Sequence, residues 1–131
     1  MIELPQQIHD AMVAHAVFCA PEEACGLIAV DHSGRPRMAY CLTNAEHSIR
    51  RFTVAPQEQF SAIRHADSHG WTIGGAFHSH PAAAPRPSAT DRAQLSAPDW
   101  LHFIVGPVAH PRVCAWRISQ QRVEPLDYVL V

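Results

Sequence analysis

The chain is poor in charge and has no long apolar run. It carries 10 Lys and Arg against 12 Asp and Glu in 131 residues, a net charge of −2. There is no basic run or arginine-rich arm, so the electrostatic footprint for nucleic acid or anionic lipid is missing. No apolar stretch approaches the length of a membrane span. The N-terminal MIELPQQIHD lacks a basic segment followed by an apolar one, so no secretory signal is expected. The four cysteines, Cys19, Cys25, Cys41 and Cys114, form no CxxC pair. That leaves no sign of a thiolate zinc site or a dithiol redox motif, and it predicts a cytoplasmic protein with reduced thiols. Internal repeats, low-complexity tracts and linkers are also absent. The length fits one domain, residues 1–131, able to bury a core without disulfides.

What is present patterns into alternating elements. Residues 6–19 read as a helix opened by Pro5, with Ile8, Ala11, Met12, Ala16 and Cys19 as its apolar stripe. Ala20-Pro21 ends it. Residues 25–30 (CGLIAV) read as a buried strand, 31–34 as a turn and 38–42 as its hairpin partner. A short strand is possible over 51–54. Pro56 opens a second helix with Phe60 and Ile63 predicted inward, closed by Gly70. Residues 71–79 read as a third main strand. The prolines of 81–87 exclude regular structure, and Ser88 starts a short helix. Strands are predicted over 101–105, 113–118 and 123–131, with Pro125 marking an edge or break in the last. This order implies a mixed sheet flanked by helices, in the α/β or α+β class.

Ten histidines are many for this length. His9, His15, His32, His47, His65, His69, His102 and His110 lie singly among polar or loop-like neighbours, where a surface or locally bonded role suffices. His78 and His80 differ. Alternate residues of a strand face the same way, so His78-Ser79-His80 presents two imidazoles on one face and turns Ser79 away. Small residues at Gly74 and Ala76, the preceding positions on that face, would leave room beside them.

Ser88-Ala89-Thr90-Asp91 resembles a capping box, with Asp in place of the usual Glu or Gln. The same turn, laid against the histidine strand, would bring Asp91 in as a third ligand with Ser88 beside it. Two nitrogens and a carboxylate oxygen suit zinc, with a fourth position left open for catalysis. Pro85 and Pro87 stiffen the connecting loop and lower the entropy lost on ordering the ligands. A proton acceptor would be needed near such a metal. Glu22 and Glu23 lie upstream of the CGLIAV run, and charge alone reads them as two solvated acids.

HSHP, the loop 81–87 and SATD together resemble the JAMM (MPN+, Mov34/MPN/PAD-1) signature HxHP-x6-S-x-x-D. Upstream, EACG resembles that family's E-x-x-G segment. PEEACGL, TNAEHS and FTVAPQEQF are similar to small bacterial members, so the resemblance covers nearly the whole chain. It implies a cytidine-deaminase-like fold, a mixed β-sheet flanked by helices. The deaminase signature itself, HxE with a later PCxxC, is absent. The resemblance further implies one Zn2+ per chain on His78, His80 and Asp91, with Glu23 as general acid/base and Ser88 stabilising the oxyanion.

The implied activity is that of a zinc metallopeptidase or isopeptidase. Its implied partner is a ubiquitin-like sulfur-carrier protein with a Gly-Gly tail, from which it would release, for example, a cysteine adduct. Short connections at 44–50 and 92–100 argue against a ubiquitin-chain enzyme. Gly74, Gly75 and Ala76 fit either close approach of an extended tail or internal packing. Two alternatives stand beside this reading: a non-catalytic MPN interaction module, and a zinc amidohydrolase acting on a small molecule.

Overall fold

In the computed structural model of the chain, residues 1–93, 99–119 and 122–131 are described. The strands are β1 (Ile2–Leu4), β2 (Cys25–Val30), β3 (Pro36–Leu42), β4 (Thr72–Ser79), β5 (Leu101–Gly106), β6 (Arg112–Ile118), β7 (Val123–Leu126) and β8 (Tyr128–Leu130). The helices are α1 (Gln6–Cys19), α2 (Pro56–Ser68) and α3 (Ala89–Ala93). Six strands form one sheet in the order β3-β2-β4-β5-β6-β7. All neighbours are antiparallel except β4 and β5, which run parallel. β1 and β8 form a separate parallel pair. The expected mixed sheet with flanking helices is therefore present.

Every residue of β2 is buried, which fits its uninterrupted apolar sequence and its place between two strands. α1 covers one face. It has no side-chain cap and no charge complement at either end. Its stability comes from Ile8, Met12 and Ala16, which enter the main core with Ile28, Phe77, Phe103 and Val105. Full burial of a large apolar side chain contributes roughly 1.5–3 kcal/mol. α2 lies on the opposite face, over Leu27, Leu42 and Ala76.

The inward face of α2 differs from expectation. Phe60 is 61% exposed and Ile63 is 37% exposed, while Ala62 and Ala66 are buried. Small residues let this helix sit close to the sheet. Glu58 fixes its rotation by accepting from Thr43 N at 2.7 Å and Thr43 Oγ1 at 2.8 Å. Phe60 is left outside, with the Arg64 guanidinium over its ring.

Other boundaries shift for physical reasons. Residues 51–54 contribute an isolated bridge from Val54 to Asn44, not a strand. The segment 123–131 divides at Asp127, and its halves join different sheets. β1 had no signal in sequence, being three residues long. Gly74 falls at a bulge, where the β2–β4 register shifts between Ile28 and Ala29. A Cβ on Gly74 would lie 2.5 Å from Val30 Cγ2, and one on Gly75 would lie 2.9 Å from Leu101 O. These glycines serve internal packing, and Ala76 packs beneath α2. The bulge also breaks the alternation, so Gly74 does not share the histidines' face. Part of the 92–100 connection lies outside the described residues.

Candidate metal and active site

Register brings the site together. β2 and β4 are antiparallel with Cys25 opposite His78, so one step further Ala24 lies opposite Ser79. Ser79 N donates to Ala24 O at 3.0 Å. Ser79 is fully buried, and its Oγ accepts from Ala24 N at 2.7 Å. This side chain does turn away from the histidines, and it uses that orientation to bind the β2 entry to β4. Another step places Glu23 beside His80 at the sheet's end.

The ligand candidates converge there. His78 Nε2 lies 3.1 Å from Asp91 Oδ1, and His80 Nε2 lies 3.1 Å from Asp91 Oδ2. One donor atom from each of His78, His80 and Asp91 falls within 4.8 Å of the others. Two ligands held tetrahedrally at about 2.0–2.1 Å from a zinc ion lie about 3.4 Å apart, close to these separations. His78 Nε2 is buried yet lacks hydrogen-bond geometry to any partner. A buried imidazole nitrogen aligned on the carboxylate without a hydrogen bond fits a metal ligand better than a finished polar network. The three residues can hold a metal ion.

Their surroundings fix which nitrogens face inward. His80 Nδ1 lies 2.8 Å from Ala84 O. A carbonyl can only accept, so Nδ1 carries the proton and Nε2 presents its lone pair to the site. The Ala84 carbonyl is held in turn by the proline loop. Trp116 Nε1 donates to Pro85 O at 2.9 Å, and Pro85 is buried. Gly106 permits the close passage of that loop, since a Cβ there would meet Ala83 O at 2.6 Å and His80 O at 2.7 Å. Phe52 stacks on His78 with centroids 4.8 Å apart and planes at 23°.

Ser88 and Asp91 form the capping box in full. Asp91 N donates to Ser88 Oγ at 3.0 Å, and Ser88 N donates to Asp91 Oδ2 at 2.9 Å. The cap and the ligand geometry coexist, because the bond that closes the helix start also aims the carboxylate at the imidazoles. Burial works to raise the Asp91 pKa, but His78 and His80 outweigh it and hold the carboxyl well below the usual range. For His80, burial lowers the pKa, while Asp91 and the Ala84 carbonyl prevail and raise it.

Glu23 is 4% exposed. Burial pushes its pKa up to about 7; Asp91 adds to the rise, His80 opposes it and Glu46 adds to it. Its Oε1 is buried without a partner. Its neighbour Glu22 is half-buried and pairs with His47 at 2.9 Å. The two acids thus separate by environment, which charge alone did not reveal.

Sequence reasoning passed over Phe52, Asn44 and Trp116. Phe52 had one visible sign, a lone aromatic in the polar run RRFT. Trp116 acts through a backbone atom 31 residues away and Asn44 reaches the Glu23 carbonyl 21 residues away, separations that leave no local pattern.

Comparison with known proteins agrees with this geometry. The family described as prokaryotic homologs of the JAB domain matches residues 5–119. The chain is 31% identical over 121 residues to the desampylase of Haloferax volcanii, covering 88% of this chain and 87% of that protein. It is 34% identical over 126 residues to the CysO-cysteine peptidase of Mycobacterium tuberculosis, covering 92% and 86%. A solution structure of a Desulfitobacterium hafniense protein superposes with a TM-score of 0.89 at 32% identity, covering 100% of this chain and 93% of that one. The chain belongs to the JAB/MPN family, among its prokaryotic JAB-domain homologs.

Proposed function

We propose that this protein is a single-domain zinc metallopeptidase that hydrolyses a peptide-type bond at the C-terminal tail of a ubiquitin-like sulfur-carrier protein. It is a hydrolase of peptide and isopeptide bonds. The observation that carries this reading is Glu23, buried with an unpartnered Oε1 beside a His-His-Asp cluster. A carboxylate tuned to about 7 next to a metal-competent cluster suits proton transfer near neutral pH. The similarity to a desampylase and a CysO-cysteine peptidase supports the substrate class.

His78, His80 and Asp91 would hold one Zn2+, which would supply Lewis acidity toward the scissile carbonyl and lower the pKa of water toward neutrality. Glu23 accepts the proton of the attacking water and returns it to the departing amine. The amide C–N bond breaks, the water oxygen stays on the new tail carboxylate, and the amine leaves with the proton. Ser88 Oγ accepts from the Asp91 amide and keeps its own hydrogen for donation to the developing oxyanion. The carrier's tail is an extended Gly-Gly segment, thin enough to reach a site set at a sheet's end. The protein resides in the cytoplasm, which suits its four free cysteines.

The test uses a ubiquitin-like carrier whose Gly-Gly terminus is joined to cysteine. Zinc-loaded protein should release the cysteine, read as a mass loss on the carrier. Hydrolysis of simple dipeptide amides with the carrier adduct left intact would overturn the substrate assignment.

A further inference from the structure

One buried side chain gathers the loop that passes behind the proposed base. Asn44 is 5% exposed. Its Nδ2 donates to Arg51 O at 2.8 Å, Glu23 O at 3.1 Å and Ser48 O at 3.4 Å. Its Oδ1 accepts from Glu46 N at 3.0 Å and Thr53 N at 3.2 Å. The loop returns a bond of its own, because Glu23 N donates to Ser48 O at 2.8 Å. His47 takes a φ of 47°, the left-handed turn conformation, uncommon for non-glycine residues and less so for histidine. Both backbone groups of Glu23 are therefore held by the 44–48 segment, while Ser79 holds the next amide. With its backbone held on both sides, Glu23 launches its side chain from a fixed Cα–Cβ direction toward the cluster.

We infer that Asn44 is a positioning residue, which acts through the Glu23 backbone to aim the general acid/base. This rests on the peptidase reading for its kinetic consequence, but not for its structural one. Asn44 touches no reacting atom. An amide is the side chain that suits the place, since its two hydrogens serve Arg51 O and Glu23 O, with Ser48 O sharing one at 3.4 Å, while its oxygen accepts two. Aspartate keeps the acceptors and loses every donor.

Two measurements test it. In the zinc-free wild-type protein, native-state hydrogen exchange should show the amides of Glu23, Glu46 and Thr53 opening as one unit, separately from Ile28 in β2. Exchange of the Glu23 amide with Ile28, independent of Glu46 and Thr53, would overturn the inference without touching the peptidase reading. Asn44→Asp should then speed Glu23 amide exchange by about tenfold or more and leave Ile28 protected. On the carrier adduct, it should lower kcat by about tenfold, with KM and bound zinc unchanged. In a Glu23→Gln background the same substitution should cost nothing further, because its route of action is gone. An equal kcat loss in both backgrounds, or unchanged Glu23 exchange in the variant, contradicts the role. If Asn44→Asp does not fold, the wild-type exchange pattern decides alone.

Discussion

At the residue scale, the site turns on two carboxylates with opposite environments. Asp91 sits between two imidazoles and stays ionised, whereas Glu23 has burial and like charge working against its ionised form. The folded pKa of Glu23, about 7 against a usual 4.5, sets a stability window in the zinc-free protein. A raised folded pKa means the folded state holds the proton more tightly. Its stabilising contribution is full below the usual value and is lost as pH rises through the folded value. Thermal melts of zinc-free protein should therefore show Glu23→Gln gaining on wild type between pH 4 and pH 8. A constant difference across that range would mean Glu23 titrates normally. With zinc bound, Glu23→Gln should keep the metal and lose about 100-fold or more in kcat, measured on the carrier adduct with zinc quantified in the same samples.

At the scale of elements, the proline loop is a braced connection between β4 and α3. Trp116 holds it at Pro85, Ala84 holds His80, and Gly106 gives it room. Trp116→Phe keeps most of the packing but removes one hydrogen bond, a loss of about 0.5–1.5 kcal/mol. Zinc affinity should fall several-fold, as chelator competition would show, because His80 loses its fixed orientation. Gly106→Ala forces a Cβ into the His80 carbonyl and should weaken zinc binding more severely than it changes the far end of the sheet. Undiminished zinc affinity in both variants would show that the loop does not orient His80.

Legibility in the sequence followed the same division. His78, His80, Ser88 and Asp91 were readable because strand alternation and the first turn of a helix are local rules. The β2–β3 hairpin and α1 were readable for the same reason. Glu23 needed family resemblance, since its burial comes from the antiparallel register of β2 on β4. The inward face of α2 was misread because apolar size suggested Phe60 and Ile63, while close helix–sheet contact selects Ala62 and Ala66. Gly74 leaves the histidines' face because a bulge breaks the strand alternation, and no residue pattern marks that bulge in the sequence.

At the scale of the whole molecule, the fold places the candidate groups at one end of the six-stranded sheet. β4 carries His78 and His80 follows directly on its last residue, the connection to parallel β5 carries Asp91 in α3, and the chain entering β2 carries Glu23. A buried core beneath them, with Phe77, Phe103 and Ile28, keeps β2 and β4 in register. Gly26 shows how tight that register is. A Cβ there would lie 2.1 Å from the Phe77 ring and 2.2 Å from Tyr40 O. Gly26→Ala should destabilise the protein by at least about 1–3 kcal/mol, the usual cost of overpacking, and reduce soluble yield. A melt matching wild type would mean β2 can shift without harm, and the register argument for Glu23 would fall with it.

Metallopeptidase activity depends first on the His78–His80–Asp91 cluster binding metal. The direct measurement is elemental analysis of the purified protein after equilibration with zinc at neutral pH, for wild type and His80→Ala. The expected result is about one zinc per chain in wild type, and loss of that zinc in His80→Ala. A wild-type protein that takes up no zinc, or a His80→Ala variant that binds it equally well, would contradict the metallopeptidase assignment.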